Sequence, residues 1–115
     1  MKLEELVKTI IKNGICVSSV DYDSENDSLV YGVTGFAKSG LGELYTEKNG
    51  DIMCRTRYGK VDKINTFKDL VFVAYEWNRD YQHEYGWNEQ WIPHFESAGL
   101  IKTKEVKTID IIPIA

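Results

Sequence analysis

The sequence predicts an α+β fold: an antiparallel β-sheet of two hairpins plus a C-terminal strand, packed against a long aromatic helix and short helices, within one domain spanning residues 1–115. Three observations carry this. Two stretches, from Leu3 and from Thr66, place apolar residues at helical spacing; Asn49-Gly50 is a hairpin turn signal between two β-prone runs; and the acidic run Asp23 to Ser28 separates two others.

In chain order, Leu3, Leu6, Val7, Ile10 and Ile11 fall on one stripe of a first helix, leaving Lys2, Glu5, Lys8, Thr9 and Lys12 to solvent. Asn13-Gly14 ends it, since glycine suits the left-handed position that closes a helix. Ile15 to Tyr22 then reads as a strand, Asp23 to Ser28 as a turn, and Leu29 to Phe36 as the returning strand.

In the second hairpin a two-residue type I′ turn at Asn49-Gly50 sets Lys48 opposite Asp51, Tyr45 opposite Cys54, Leu44 opposite Arg55, Glu43 opposite Thr56 and Leu41 opposite Tyr58. Alternation then gathers Leu41, Tyr45, Ile52, Cys54 and Tyr58 on an apolar face toward the helices. Thr46, Met53, Arg55 and Arg57 fall on the outer face, with Lys38 or Lys60 near the arginines.

Residues Thr66 to Gly99 hold nine of the fourteen aromatic residues, with all three tryptophans and both histidines. Thr66 and Asp69 form a capping box with aspartate in the glutamate position, and Phe67, Leu70, Val71, Ala74, Tyr75, Trp77, Asn78, Tyr81 and Tyr85 follow at helical spacing. Phe72 and Val73 make Leu70 to Tyr75 apolar all round, so that segment needs cover on both sides, from the sheet and other helices or from a homodimer contact. Gly86 breaks the helix; a short helix starts near Trp91, with Pro93 tolerated in its first turn, and Ala98-Gly99-Leu100 stops it. The tail, ending Ile111-Ile112-Pro113-Ile114, returns to extended character as an edge strand or arm, because Pro113 has no N–H to donate. An apolar arm left open invites aggregation, so its own sheet or a second copy covers it, and a homodimer is the expected assembly.

A formal charge of −4 opposes general nucleic-acid binding, which draws on neutralised phosphates. No apolar run is long enough to span a bilayer, and MKLEELVKTI interrupts with two acids the apolar region of a signal peptide, so a cytoplasmic protein without membrane contact is expected, with Cys16 and Cys54 reduced and buried.

Asp21, Asp23, Glu25 and Asp27 alternate like the start of a calcium loop, but Asn26 and Gly32 stand where glycine and a bidentate glutamate are required. The run reads as a solvated hairpin tip, whose charge also suits a basic partner. Gly35, Gly40 and Gly42 invite a phosphate-loop reading that fails because a strand, not a helix, follows. His83 and His94 have no recognised ligand spacing even with Glu84 and Glu89 nearby, so no metal and no cofactor are expected. Catalysis would need one of those histidines to meet Glu84, Glu89, Asp80 or Tyr81 in a cleft.

With LYTEKNGDIMCRTRYG in the hairpins and YEWNRDYQHEYGW in the aromatic block, the chain resembles small uncharacterised accessory proteins of phages and prophages. That resemblance is of general character, transfers no residue role, and implies a binding or inhibitory protein. The leading expectation is a non-catalytic binding protein, an inhibitor occupying the surface of a host factor, with Trp77, Arg79, Trp87 and Trp91 as contacts because tryptophan and arginine dominate interface hot spots. The alternative is a pocket for a small anionic ligand such as a nucleotide, with Arg55, Arg57 and Tyr58 as its anion side.

Overall fold

The computed structural model describes residues 1–34, 42–56, 59–85, 87–103 and 109–112, and of residues 82–85, 103, 109 and 110 the backbone alone. Its elements run α1 (Leu3–Lys12), β1 (Val17–Asp23), β2 (Ser28–Val33), β3 (Gly42–Thr46), β4 (Ile52–Arg55), β5 (Val61–Lys63), α2 (Phe67–Tyr85), α3 (Ile92–Ser97), β6 (Ile101–Thr103) and β7 (Ile109–Ile111). The α+β class holds. Strands β1 to β5 form one antiparallel sheet in chain order, while β6 and β7 form a separate two-stranded ribbon. The C-terminal strand thus covers its backbone with its own partner, and the Ile112 N–H donates to Leu100 O as the ribbon leaves α3. Pro113 to Ala115 lie outside the described residues.

Local chemistry fixes the helix ends. Gly14 has φ +80°, its N–H donates to Ile11 O, and the Ile15 N–H donates to Ile10 O, closing α1 with paired carbonyls; Gly99 (φ +73°) repeats the device after α3. At the start of α2 the capping box is present. Thr66 Oγ1 accepts from the Asp69 N–H (3.2 Å), and Asp69 Oδ2 accepts from the N–H groups of Thr66 (3.0 Å) and Asn65 (2.9 Å).

The helices cover one face of the sheet. Leu3, Leu6, Val7 and Ile10 of α1 are buried with Val33, Leu44, Ile52 and Cys54 of the sheet and Leu70, Val71, Ala74 and Tyr75 of α2. Ile11, expected on the buried stripe, is instead 57% exposed. The all-round apolar segment is covered within one chain: Leu70, Val71, Val73, Ala74 and Tyr75 are buried and Phe72 packs against the same core. Trp91 and Phe95 from the α3 region fill the remaining volume, both with no exposed surface.

The second hairpin departs from the expected register by one residue. Glu43 pairs with Arg55, Leu44 with Cys54, Tyr45 with Met53 and Thr46 with Ile52. Gly50 is left-handed (φ +89°) while Asn49 is not, and the Gly50 N–H donates to Glu47 O, so the connection is a three-residue loop in place of a type I′ turn. A slip of one residue turns β3 over. Leu44 therefore faces the helices, fully buried, and Tyr45 joins Arg55 on the opposite face, where the guanidinium lies 5.1 Å from its ring centre. Strand β4 ends at Arg55; the Thr56 N–H donates to Lys60 O and leads into the short β5, which the sequence did not announce. The pairing expected for Leu41 with Tyr58 lies outside the described residues.

Candidate functional site

Strand β1 is the outermost strand of the sheet, and no other described strand lies along its outer side. Its central residues, Ser18 to Tyr22, are exposed. Val20 pairs with Tyr31 and Tyr22 with Leu29, so these side chains project from the face that carries Leu44 further in. There, however, the helical layer leaves them bare: Val20 is 56%, Tyr22 63% and Leu29 43% exposed. Tyr22 and Leu29 line a concavity of about 370 Å³ with Met1, Lys2 and Leu3 at the start of α1 and Thr46 at the end of β3. Ser28, buried among them, accepts the Thr46 N–H on its Oγ (2.9 Å).

The acidic tip is built for rigidity. Asp23 Oδ1 accepts the Glu25 N–H (2.9 Å), and Asp23 Oδ2 accepts Asn26 Nδ2 (2.9 Å); these donors hold the carboxyl below the usual aspartate range, the Asn26 side chain being the largest influence. Asp27 takes a left-handed conformation (φ +47°) and accepts the Tyr22 hydroxyl proton at 2.5 Å, which raises the Tyr22 pKa. The tip therefore presents a cluster of acidic side chains beside an apolar strand face.

At its other end the β1–β2 hairpin is clasped by two adjacent residues. Cys16 N–H donates to Gln90 Oε1 (2.7 Å), Thr34 N–H donates to Cys16 O (3.0 Å), and Trp91 Nε1–H donates to Thr34 O (2.6 Å). Trp91 stacks between Phe67 and Phe95, each with ring centres 6.3 Å away and an interplanar angle of 16°. It is wholly buried, so the expected contact role does not fit it: it is a core residue that ties the aromatic block to the sheet. The sequence feature beside it is Gln90, whose side-chain oxygen accepts one backbone N–H, that of Cys16. Asn78 was visible as the lone polar residue on an apolar face; buried, it donates to Ala74 O (2.7 Å) and accepts the Asn88 N–H (2.8 Å), anchoring the approach to α3.

The other expected contacts are dispersed. Trp77 is 8% exposed, with its ring 4.3 Å from that of Tyr81; Trp87 is half-buried against Tyr75 and Phe95. Arg79 pairs with Asp80 (3.0 Å) and lies over Tyr75 (5.6 Å). Arg55 is on the outer sheet face as expected, but Glu43 engages it and stabilises its charge. Arg57 and Tyr58 lie outside the described residues, as do Gly35 to Leu41, which hold most of the glycine-rich run. Lys60, expected beside Arg55, reaches instead to Glu76 on α2 at 2.5 Å.

His94 is half-buried, its Nε2 3.2 Å from Asn13 O and its ring edge-on to Phe67; the His83 side chain is outside the description. Cys54 is buried, and desolvation, reinforced by nearby Asp62, pushes its thiol far above the ordinary range; Cys16 is exposed, contrary to expectation, and both are free thiols. Among the described residues no helix is long and apolar enough to cross a membrane. Comparison with known proteins finds no matching family model, no matching curated protein and no matching solved structure.

Proposed function

We propose that this chain is a binding protein that acts by occupying the surface of a protein partner, in the manner of a phage-type inhibitor directed at a host factor. The observation that supports this reading is the bare side of β1. Val20 and Tyr22, with Leu29 of β2 beside them, keep large apolar side chains in water at an outermost strand that contains no lysine and no proline, two of the residues that protect such edges. Leaving that surface open is unfavourable for the isolated fold and becomes favourable when a partner covers it. The anionic-pocket reading has less support, because Arg55, its one described arginine, is already bound by Glu43.

The test is affinity capture from a host extract with three baits: the wild-type chain, a Val20→Lys/Tyr22→Lys variant, and a variant altered away from β1, Lys68→Glu. The expected result is a protein retained by the first and third baits and lost with the second. Recovery of the same proteins on all three baits and on bare matrix would remove the basis for the reading.

A further inference from the structure

We propose that β1 receives an extended segment of a protein partner as a sixth strand, and that this segment alternates basic with apolar residues. The inference rests on the binding reading above and specifies the chemistry of the partner. An outermost strand offers a line of backbone donors and acceptors, and such edges are extended by peptides whose main chain supplies affinity and whose alternate side chains supply selectivity.

The two faces of β1 differ in chemistry. Val20 and Tyr22 point to the helix side, where the concavity formed with Leu29 and Met1 lies. Asp21 and Asp23 point to the other side, because side chains alternate along a strand. Between Val17 and Leu29 the chain carries Asp21, Asp23, Glu25 and Asp27 and not one lysine or arginine. A strand laid beside β1 in either direction thus meets apolar surface on one face and negative charge on the other. Lysine or arginine at every second position, with valine-sized or larger apolar residues between, is the pattern that satisfies both.

The same charges argue against a second copy as occupant. Self-pairing through β1 would bring together two edges that each carry Asp21 and Asp23, with no cation between Val17 and Leu29 to offset them. The edge is therefore guarded against itself while remaining open to a basic strand.

The probe is a synthetic heptapeptide alternating lysine and valine, matched to the seven residues of β1 and titrated into the isotopically labelled full chain by NMR. Expected are shifts concentrated on residues 17–23, slowed exchange of β1 amides, and binding weakened at least about tenfold in three controls: a glutamate–valine peptide, a lysine–valine peptide N-methylated at alternate residues, and the Asp21→Lys chain. Tyr22→Ala, which removes an exposed side chain together with its bond to Asp27, weakens binding as well. Equal binding of the N-methylated peptide shows charge attraction without strand addition and overturns the proposal. So do shifts located elsewhere, no binding at millimolar peptide, or a concentration-dependent dimer lost with Val20→Lys. A protein captured equally by wild type and by the Val20→Lys/Tyr22→Lys chain, yet absent from bare matrix, would overturn strand addition alone and leave the binding reading in place.

Discussion

Replacing Trp91 separates a core residue from an interface residue. Its side chain is wholly buried, stacks between Phe67 and Phe95, and supplies the donor for Thr34 O. Truncating a buried tryptophan to alanine costs about 3–5 kcal/mol through lost transfer energy and the cavity left behind. A domain of this size has roughly 6–17 kcal/mol of total stability, so Trp91→Ala should remain folded in water, with a Tm lower by about 12–20 °C at about 4 °C per kcal/mol. Trp91→Phe keeps most of the ring and removes the donor; Thr34 is only half-buried, so water replaces part of the bond and the loss is about 1–2 kcal/mol. Urea unfolding followed by circular dichroism measures both. The core assignment fails if Trp91→Ala costs less than about 1 kcal/mol, and the bond to Thr34 is irrelevant if Trp91→Phe is neutral.

Three further outcomes follow from described contacts. Thr66→Ala and Asp69→Ala should each destabilise by about 1 kcal/mol, and the double variant should cost less than the sum, because each residue satisfies the other's backbone; strict additivity in urea unfolding would mean that the two act separately. A thiol reagent should modify Cys16 rapidly in the native chain and Cys54 only after denaturation, since burial holds that thiol protonated; two fast thiols in the native chain would contradict the burial. The depressed Asp23 pKa means that its contribution to stability is present above the pKa it has when unfolded and is lost as pH falls through the folded value; Asp23→Asn should flatten that acid limb, and carboxyl titration by NMR showing an ordinary Asp23 would refute the effect assigned to its bonds from Asn26 and Glu25.

Features decided by nearby residues were legible in the sequence. Gly14 and Gly99 marked helix ends, and Thr66 with Asp69 marked the start of α2, because those interactions span three to five residues and depend on side-chain type. The register of β3 on β4 was not legible. Asn-Gly serves both a two-residue turn with two left-handed residues and a three-residue loop with one, and only the conformation of Asn49 distinguishes them. That single difference decides whether Leu44 or Tyr45 joins the core beneath the helices. Strand β5 has three residues, too few for alternation to show. Trp91 and Tyr22 illustrate the remaining limit: apolar character says that a side chain favours burial, whereas the reach of neighbouring helices decides that Trp91 is enclosed and Tyr22 left bare.

The clasp at Gln90 and Trp91 has a consequence for the order in which the chain assembles. Each strand of the five-stranded sheet pairs with its neighbour in sequence, so the sheet can grow hairpin by hairpin with short closures. The clasp bonds instead join residues 74 and 57 positions apart, and closing loops of that length costs about 2 kcal/mol more than closing a five-residue turn. The clasp should therefore form after the sheet. Its opening would release Cys16 and Thr34 together, fraying β1 from the end opposite the acidic tip while the rest of the meander stays paired.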